Sequence, residues 1–260
     1  MEKLYVIKIG GNIVDDPTVL TTCLKAFAAL KGHAILVHGG GKLATQLAQT
    51  LGVQQQMIEG RRVTDAETLK IVTMVYGGLI NKNIVAQLQA EGVSAIGVTG
   101  ADANLIKAHQ RSHPTIHYGF VGDIDEVNTN AFIDLLEKGT KLVMAPLTHD
   151  GKGQILNTNA DTIAQSIATA LCKHYDVHLI YGFEKEGVLL DVENPTSVLG
   201  HMNVEKYHQL KSQHVIVEGM IPKMDNAFKA LEQGVHSVII GKGEKLNELI
   251  QGTAGTTIQL

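Results

Sequence analysis

Short apolar segments alternate with amphipathic segments along most of the chain. Residues 4–9 and 34–38 are almost entirely apolar, and residues 17–30 between them carry apolar side chains three and four positions apart. Short apolar runs that end near glycine are typical of buried strands, and the three-to-four spacing is typical of an amphipathic helix. Alternating strands and helices predict an α/β fold, a three-layer αβα sandwich with a central, mostly parallel sheet.

The same pattern continues towards the C-terminus. Further strands are predicted at residues 93–98, 142–147, 177–181, 188–191, 235–240 and, as an edge strand, 256–258. Further helices are predicted at residues 42–51, 130–138, 162–173, 203–210 and 219–233. A loop or hairpin is predicted at residues 52–63, which lack a clean period, and a hairpin at residues 104–121.

A long helix is predicted from residue 64 to about residue 90. Residues 64–67 have the sequence of a capping box, in which the Thr64 hydroxyl caps the helix and the Glu67 carboxylate returns the hydrogen bond. Gly77 and Gly78 are unfavourable in a helix interior, so they indicate either a close helix–helix approach, such as a dimer interface, or a kink. The apolar residues expected on one face of this helix are Leu69, Val72, Val75 and Leu79.

The composition indicates which binding partners and which cellular compartment to expect. With 22 basic and 26 acidic residues the formal charge is −4, and the absence of a basic run argues against nucleic acid as a partner. No apolar stretch approaches the roughly 20 residues that a membrane span needs, and no leader-like segment precedes the first strand. Cys23 and Cys172 have no metal-binding or redox spacing, so a reduced cytoplasm is the expected location.

Glycine turns at the ends of the first two predicted strands indicate an anion site. Three glycines, Gly39 to Gly41, end the second apolar run and open a helical pattern. Glycine leaves backbone N–H groups accessible, and a helix N-terminus directs unpaired N–H groups and a positive dipole end to the same place. A phosphate site is therefore favoured over a tight turn without a ligand. Lys8, beside Gly10 and Gly11, is expected to meet an anion at the carboxyl edge of the sheet rather than solvent.

Two later segments place polar residues at predicted helix starts. Asn157, Asn159 and Asp161 precede residues 162–173, where they either cap the helix alone or also organise substrate and charge. Lys223 falls in the first turn of another predicted helix, where its charge opposes the helix dipole. A residue that opposes a local preference indicates a functional role, with an exposed lysine as the alternative.

Five motifs together resemble those of the amino acid kinase family. They follow one another in the order and approximate spacing of that family and span essentially the whole chain. The third and fourth motifs resemble those of the branch that phosphorylates acylated glutamate. The motifs are Lys8-Ile9-Gly10-Gly11, His38-Gly39-Gly40-Gly41, Gly60-Arg61-Arg62-Val63-Thr64, Asn157-Thr158-Asn159-Ala160-Asp161 and Gly219-Met220-Ile221-Pro222-Lys223.

The resemblance implies ATP-dependent phosphorylation of the γ-carboxylate of N-acetyl-L-glutamate, the second step of arginine biosynthesis. The implied catalytic residues are Lys8 and Lys223, which would hold the moving phosphoryl group, and Asp161, which would orient both lysines. The residues implied to bind the acylglutamate are Gly40, Gly41, Asn157 and Arg62, the last through the α-carboxylate. The residues implied to contact the nucleotide phosphates are Gly10, Gly11, Gly39 and Gly187.

The resemblance also implies an organisation for the whole molecule. Residues 1–175 would form the lobe that binds acylglutamate and dimerises, and residues 176–260 the lobe that binds ATP, on one continuous sheet. Mg²⁺ would be carried mainly by ATP and water, so no metal-ligating residues are predicted. Arginine-inhibited relatives carry an extra N-terminal helix, so the short segment before the first strand predicts a homodimer insensitive to arginine.

Several alternatives stay open at this point. Residues 181–187 depart from the Thr/Ser-Asp-Val step of the family and leave the adenine and ribose contacts undefined. N-succinyl-L-glutamate is an alternative substrate, with Lys42, Arg61 and Lys107 as candidate cations for its extra carboxylate. Other family members, acting on aspartate, glutamate, carbamate or uridylate, are further alternatives. Residues 39–44 with Glu59 loosely fit a Rossmann dehydrogenase fingerprint, and a non-catalytic nucleotide-binding regulator is the last alternative.

Overall fold

The computed structural model describes residues 1–58, 61–191, 193–216 and 220–260. In chain order its strands are β1 (Lys3–Ile9), β2 (His33–His38), β3 (Met57–Ile58), β4 (Arg61–Arg62), β5 (Ala95–Val98), β6 (Ile106–Gln110), β7 (Gly122–Val127), β8 (Lys141–Met144), β9 (Leu147–His149), β10 (Ile155–Asn157), β11 (Asp176–Phe183), β12 (His201–Met202), β13 (Ser237–Lys242) and β14 (Thr256–Ile258). Its α-helices are α1 (Gly11–Val14), α2 (Pro17–Ala29), α3 (Gly41–Thr50), α4 (Ala66–Val72), α5 (Asn81–Ala90), α6 (Thr129–Leu136), α7 (Ala160–Leu171), α8 (Val204–Ser212), α9 (Ile221–Glu232) and α10 (Leu246–Gln251).

An eight-stranded sheet forms the middle layer, with strand order β12-β14-β13-β11-β1-β2-β8-β5. Neighbouring strands are parallel except for β13 and β14, which are antiparallel. The predicted central, mostly parallel sheet is therefore confirmed. Because parallel strands end at the same edge, the loops after β1, β2 and β11 meet at the carboxyl edge of the sheet.

Helices cover both faces of this sheet, as the three-layer prediction requires. Side chains alternate along β1, so Leu4 and Val6 pack with α6, α7, α8 and α9. Ile7 and Ile9 point to the other face and pack with α2, α3, α5 and α10. The same alternation places Lys8 on the α7 face at the end of the strand, where α7 supplies its partner.

A second sheet and a hairpin stand beside the central sheet. The second sheet has the order β10-β9-β6-β7, and β3 pairs with β4. β3 and β4 lie within residues 52–63 as predicted, whereas the hairpin predicted at residues 104–121 extends further, because β6 pairs with β7, a strand that begins at Gly122 and was not predicted. The sequence did not reveal that β9 and β10 join β6, because that pairing is between distant segments. These small sheets carry Asn157, at the end of β10, and Arg62, in β4.

The predicted long helix is interrupted by a π-helical segment, Thr73–Ile80, between α4 and α5. A Cβ on Gly77 would lie 3.3 Å from Leu147 Cδ1, whereas one on Gly78 would meet no atom of the described residues within 4 Å. The close approach at Gly77 is thus to a strand of the same chain. A π-helical turn contains one residue more than an α-helical turn, so the side chains that follow it point in a different direction from those of a continuous α-helix. Leu79, which was predicted on the buried face of the helix, is for this reason 52% exposed.

Three local predictions are wrong. The cap of α4 is Asp65, whose carboxylate accepts a hydrogen bond from the Thr68 N–H at 2.8 Å, because the buried Thr64 hydroxyl is engaged by Arg62 O and by Asn157. β14 is not an edge strand, because β12 pairs beyond it. Residues 188–191 form a single bridge, Leu189 to Val198, instead of a strand.

The other strands and helices predicted from the sequence are confirmed, with ends that differ by a few residues. Within the described residues, none of the helices has the length and apolar character that crossing a bilayer requires.

Candidate active site

Two glycine turns touch at the carboxyl edge of the central sheet. The Gly10 N–H donates to Gly182 O at 3.1 Å, and the Gly39 N–H donates to Ile9 O at 3.0 Å. A Cβ on Gly39 would lie only 3.2 Å from Gly11 N. Glycine is therefore required there for the turns to approach each other, and Gly10 and Gly11 line a cleft to which they present backbone without side chains.

The next glycine opens α3 in a conformation that other residues rarely adopt. Gly40 has φ of 150° as the N-cap of α3. A Cβ at this position would lie 2.2 Å from Ile80 Cδ1 and 3.3 Å from the ring of Tyr76. The turn is packed directly against the π-helical segment, and Gly41 begins the helix whose N-terminus faces the cleft edge.

Lys8 forms an ion pair with Asp161. Lys8 Nζ lies 2.8 Å from Asp161 Oδ1, and the side chains are 15% and 28% exposed. Asp161 lies in the first turn of α7, where the helix dipole stabilises a negative charge. The ion pair fixes the position of an ammonium group that projects from the carboxyl end of an apolar strand.

Lys223 reaches the same cleft from the opposite part of the chain. It is in the first turn of α9, and its Nζ is 5.0 Å from the centroid of the Phe183 ring at the end of β11. Lys8 and Lys223 both line this cleft, which we call the lysine cleft. Within the described residues, Asp161 pairs with Lys8 and makes no ion pair with Lys223. Of the two contacts predicted for Asp161, the structure therefore has the one to Lys8, and the one to Lys223 stays a prediction.

A second cleft adjoins the first, and we call it the asparagine cleft. It is lined by residues that include Gly39, Gly40, Arg111, Asn157 and Asn159. Gly41, Met57 and Arg62 line both clefts. The two clefts therefore meet at the start of α3 and at the β3–β4 hairpin.

The guanidinium of Arg62 is held at this junction. Its Nη2 donates to Gly41 O and to Thr45 Oγ1, both at 2.9 Å, and its Nη1 donates to Gln55 Oε1. These three contacts orient the planar group before any ligand binds. A partly buried and pre-oriented guanidinium is suited to hold a carboxylate.

The two asparagines of the fourth motif have different roles. Asn159 is the N-cap of α7 and accepts a hydrogen bond from the Thr162 N–H at 3.0 Å, so the capping interpretation holds for it. Asn157 Nδ2 donates to Thr64 Oγ1 at 3.0 Å. This bond ties β10 to the segment that follows Arg62 and so shapes the asparagine cleft.

Arg111 lines the asparagine cleft and was missed by sequence reasoning. Its Nε is 3.1 Å and 3.0 Å from the two carboxylate oxygens of Asp123, and its Nη2 also donates to that carboxylate. This pairing raises the pKa of the guanidinium. The predicted hairpin ended at residue 121 and did not include Asp123, so nothing in the sequence indicated that the two charges pair. Of the cations considered from the sequence, Lys42 lines the lysine cleft and Lys107 lines neither cleft.

Some predicted residues do not join the clefts or lie outside the described part of the chain. A Cβ on Gly187 would lie 2.8 Å from Thr256 Oγ1 and 2.9 Å from Val198 Cγ1. Close packing therefore requires glycine there, and its predicted phosphate contact stays a prediction. Gly60 and Gly219 of the motifs, Glu59 and the side chain of Arg61 lie outside the described part.

His38 supports the glycine turn from beneath. Its side chain is fully buried, with Nδ1 2.8 Å from Gly39 O and Nε2 3.3 Å from Asn81 Nδ2. These contacts fit a neutral imidazole that donates from Nδ1 and accepts at Nε2. Burial lowers the pKa of His38 to about 4.

We expect His38 to make stability fall as the pH falls from about 6.5 to about 4. In this range the unfolded chain binds a proton at His38 and the folded chain does not. The contribution of the neutral imidazole to stability is therefore complete above pH 6.5 and is lost progressively as the pH falls to about 4. Across this pH range the lowered pKa corresponds to a decrease in the free energy of unfolding on the order of 3 kcal/mol. Urea unfolding at pH 5 and pH 7.5 measures the effect. The His38→Asn variant should show a smaller pH difference than the wild type, and an equal difference would contradict the prediction.

Comparison with known proteins bears out the resemblance seen in the motifs. Residues 3–242 match the profile of the amino acid kinase family. The chain is 56% identical over 261 residues to an acetylglutamate kinase of Cytophaga hutchinsonii, with 99% of each chain covered. It is 52% identical over 258 residues to an acetylglutamate kinase of Bacteroides fragilis, with 99% of this chain and 97% of the relative covered.

A solved structure shares the fold. It is N-acetylglutamate synthase from Neisseria gonorrhoeae complexed with coenzyme A and N-acetyl-glutamate, with a TM-score of 0.84 and 22% identity. The similarity covers 100% of this chain and 59% of that longer chain. On the profile match, which includes Lys8, Arg62, Asp161 and Lys223, and on the identities to full-length relatives, the chain belongs to the amino acid kinase family.

Proposed function

We propose that the protein transfers the γ-phosphoryl group of ATP to the γ-carboxylate of N-acetyl-L-glutamate, in arginine biosynthesis. The observation that carries the proposal is the lysine cleft, where Lys8 and Lys223 flank a glycine turn and Arg62 leads into a second cleft. The acetylglutamate kinases that are 52% and 56% identical to the chain support the choice of acceptor.

The reaction needs positive charge and positioning more than it needs a base. A carboxylate oxygen attacks the γ-phosphorus while the bond to the β,γ-bridging oxygen breaks, which gives an acyl phosphate and ADP. The acceptor is already ionised, so no proton has to be removed. Two unit negative charges about 4 Å apart repel by roughly 4 kcal/mol at an effective dielectric constant of 20. The ammonium groups of Lys8 and Lys223, with the backbone N–H groups of the glycine turns, offset this repulsion.

The residues of the lysine cleft fit the phosphates of ATP. Gly10 and Gly11 line this cleft, and Gly39, which lines the asparagine cleft, lies against Gly11, so that a Cβ on Gly39 would close on a backbone amide. Mg²⁺ would neutralise phosphate charge, and in this proposal it would be held by ATP and water, since Asp161 is engaged by Lys8. Gly187 is included in the nucleotide site on the resemblance alone.

The asparagine cleft fits the acylated amino acid. Arg62 would hold its α-carboxylate through the positive charge of an already oriented guanidinium. Asn157 and the amides of Gly40 and Gly41 would bind the rest of the substrate. In this assignment residues 1–175 supply the acylglutamate site together with Lys8 and the glycine turn at the ATP phosphates, and residues 176–260 supply Lys223 and the rest of the ATP site.

Formation of ADP by the purified protein tests the proposal directly. We expect ATP turnover that depends on N-acetyl-L-glutamate, with the acyl phosphate trapped by hydroxylamine. L-glutamate, aspartate, carbamate and uridylate are the matched alternative acceptors and should give at most a small fraction of that rate. Turnover with N-succinyl-L-glutamate and not with N-acetyl-L-glutamate would change the proposed acyl group from acetyl to succinyl. Binding of NADH, or no turnover with any acceptor, would overturn the proposal.

We also propose a homodimer formed through the π-helical segment. Met74 and Leu79, both in this segment, are 53% and 52% exposed, although both are large and apolar. Large apolar side chains on one region are typical of an interaction surface. We expect Leu79→Glu to convert the dimer into monomer, because burying an unpaired carboxylate in an interface is unfavourable. Sedimentation velocity measures this.

The matched control for the dimer is Leu190→Glu, which changes a leucine that is 45% exposed in the other lobe. It should leave the oligomeric state unchanged. A wild-type protein that sediments as a monomer would contradict the dimer.

A cytoplasmic location completes the proposal. Cys23 and Cys172 are both free and buried, and they pack in the cores on opposite faces of the sheet. Free buried thiols that cannot pair suit a reducing compartment.

A further inference from the structure

Two strands bring an aspartate and two histidines together at the amino edge of the central sheet, opposite the edge that carries the clefts. Asp176 and His178 are two residues apart at the start of β11, so their side chains share one face. β13 runs parallel to β11 with Ser237 aligned to His178, which places His236 beside them. We propose that Asp176, His178 and His236 form a binding site for Zn²⁺.

The carboxylate of Asp176 lies between the two imidazoles. His236 Nδ1 is 2.8 Å from Asp176 Oδ1, and His178 Nε2 is 3.4 Å from Asp176 Oδ2. One potential ligand atom from each residue lies within 4.8 Å of those of the other two. Ligand atoms on a tetrahedral zinc ion are about 3.3 Å apart when the bonds are about 2.0–2.1 Å long. Small side-chain rotations therefore close the three groups around one ion.

His178 has a ring nitrogen that the protein leaves without a hydrogen bond. Its Nδ1 is 2.8 Å from Ser237 Oγ, and its ring stacks on Tyr5 with centroids 5.4 Å apart, so the ring orientation is fixed. Its Nε2 is buried and makes no hydrogen bond within the described residues. When Nδ1–H donates to Ser237, the Nε2 lone pair faces a carboxylate oxygen. A cation between these two acceptors removes their repulsion.

The chemistry of the three potential ligand atoms indicates which class of metal ion the site would bind. Two imidazole nitrogens and one carboxylate oxygen suit zinc and neighbouring transition metals, whereas Mg²⁺ and Ca²⁺ prefer oxygen ligands. Histidines that ligate zinc usually donate their other N–H to an outer partner, which is the position of Ser237. Three protein ligands leave the fourth position for water. Because the site joins β11 to β13 at the edge away from Lys8 and Lys223, it stabilises the sheet and takes no part in phosphoryl transfer.

Titration of the metal-free, full-length protein with ZnCl₂ tests the proposal. We expect calorimetry to give one zinc per chain, and we expect Tm to rise when zinc is well above Kd, since a ligand specific for the folded state stabilises it. Co²⁺ should produce the visible absorption bands of a four-coordinate site. The chain has 12 histidines, so stoichiometry and matched variants separate this site from scattered surface binding.

Four variants locate the ion. His236 is 58% exposed, so His236→Ala is expected to fold, and it should weaken zinc binding by more than the roughly 10- to 100-fold typical of a lost outer partner. Ser237→Ala should weaken binding within that range, and Asp176→Asn should abolish the Co²⁺ bands. His208→Ala removes an exposed histidine of α8 and should bind like the wild type. Equal zinc affinity in the wild type and His236→Ala, or no change in the wild-type Tm, overturns the proposal.

Discussion

Replacement of Lys8 by methionine is expected to lower kcat by about 10²- to 10³-fold, the usual loss when one preorganised donor to a developing charge is removed. Lys8 is only 15% exposed and is held 2.8 Å from Asp161, so its ammonium is in place before the substrates bind. The Kd for ATP should change much less, because the amides of the glycine turns remain. Steady-state kinetics with N-acetyl-L-glutamate and calorimetric titration with a non-hydrolysable ATP analogue measure the two quantities.

A lysine in a surface ion pair serves as the control for this substitution. Lys70 pairs with Glu67 at 2.7 Å and is 67% exposed, so Lys70→Met should leave kcat unchanged. Lys223→Met should resemble Lys8→Met in kcat. A Lys8→Met enzyme with wild-type kcat and an intact fold would remove Lys8 from the mechanism.

The second large effect is expected at Arg62. Arg62→Lys keeps the charge but loses the planar fork, and the lost charged hydrogen bonds correspond to about a 10- to 100-fold rise in KM for N-acetyl-L-glutamate. Gly41 O and Thr45 Oγ1 also lose their shared donor. The start of α3 should therefore be less well positioned, which adds a smaller fall in kcat.

The KM for ATP provides the internal control for Arg62→Lys, and a thermal melt checks that the variant is folded. If the KM values for both substrates rise equally, the guanidinium supports the shape of the whole site and does not bind the acylglutamate selectively.

Those parts of the fold that follow from local periodicity were predictable from the sequence. β1 and β2 are short apolar runs that end at glycine, and α2 has regular three-to-four spacing, so strand and helix types were correct and their ends nearly so. Lys8 stood out because a lysine interrupts an apolar strand beside a glycine turn. Its position at the carboxyl edge followed because parallel strands end at a common edge of the sheet, whereas its meeting with Lys223 was implied only by the family resemblance.

Other parts depend on contacts between distant segments and were not predictable. Thr64 is engaged by Asn157 from far along the chain, so Asp65 caps α4 although the local sequence favoured Thr64. Arg111 enters the asparagine cleft only because β6 and β7 pair around it. The Asp176 cluster arises from the alignment of β11 with β13, and nothing in the spacing between its histidines indicates a metal site.

The π-helical segment has one further consequence. Tyr76 lines the asparagine cleft and Ile80 packs beneath Gly40, while Met74 and Leu79 of the same segment are exposed. If two copies associate through those exposed side chains, the same π-helical segment forms the contact between subunits on one side and lines the substrate site on the other. Substitutions that disturb the contact between subunits, such as Leu79→Glu, would then also be expected to change the KM for the acylated amino acid.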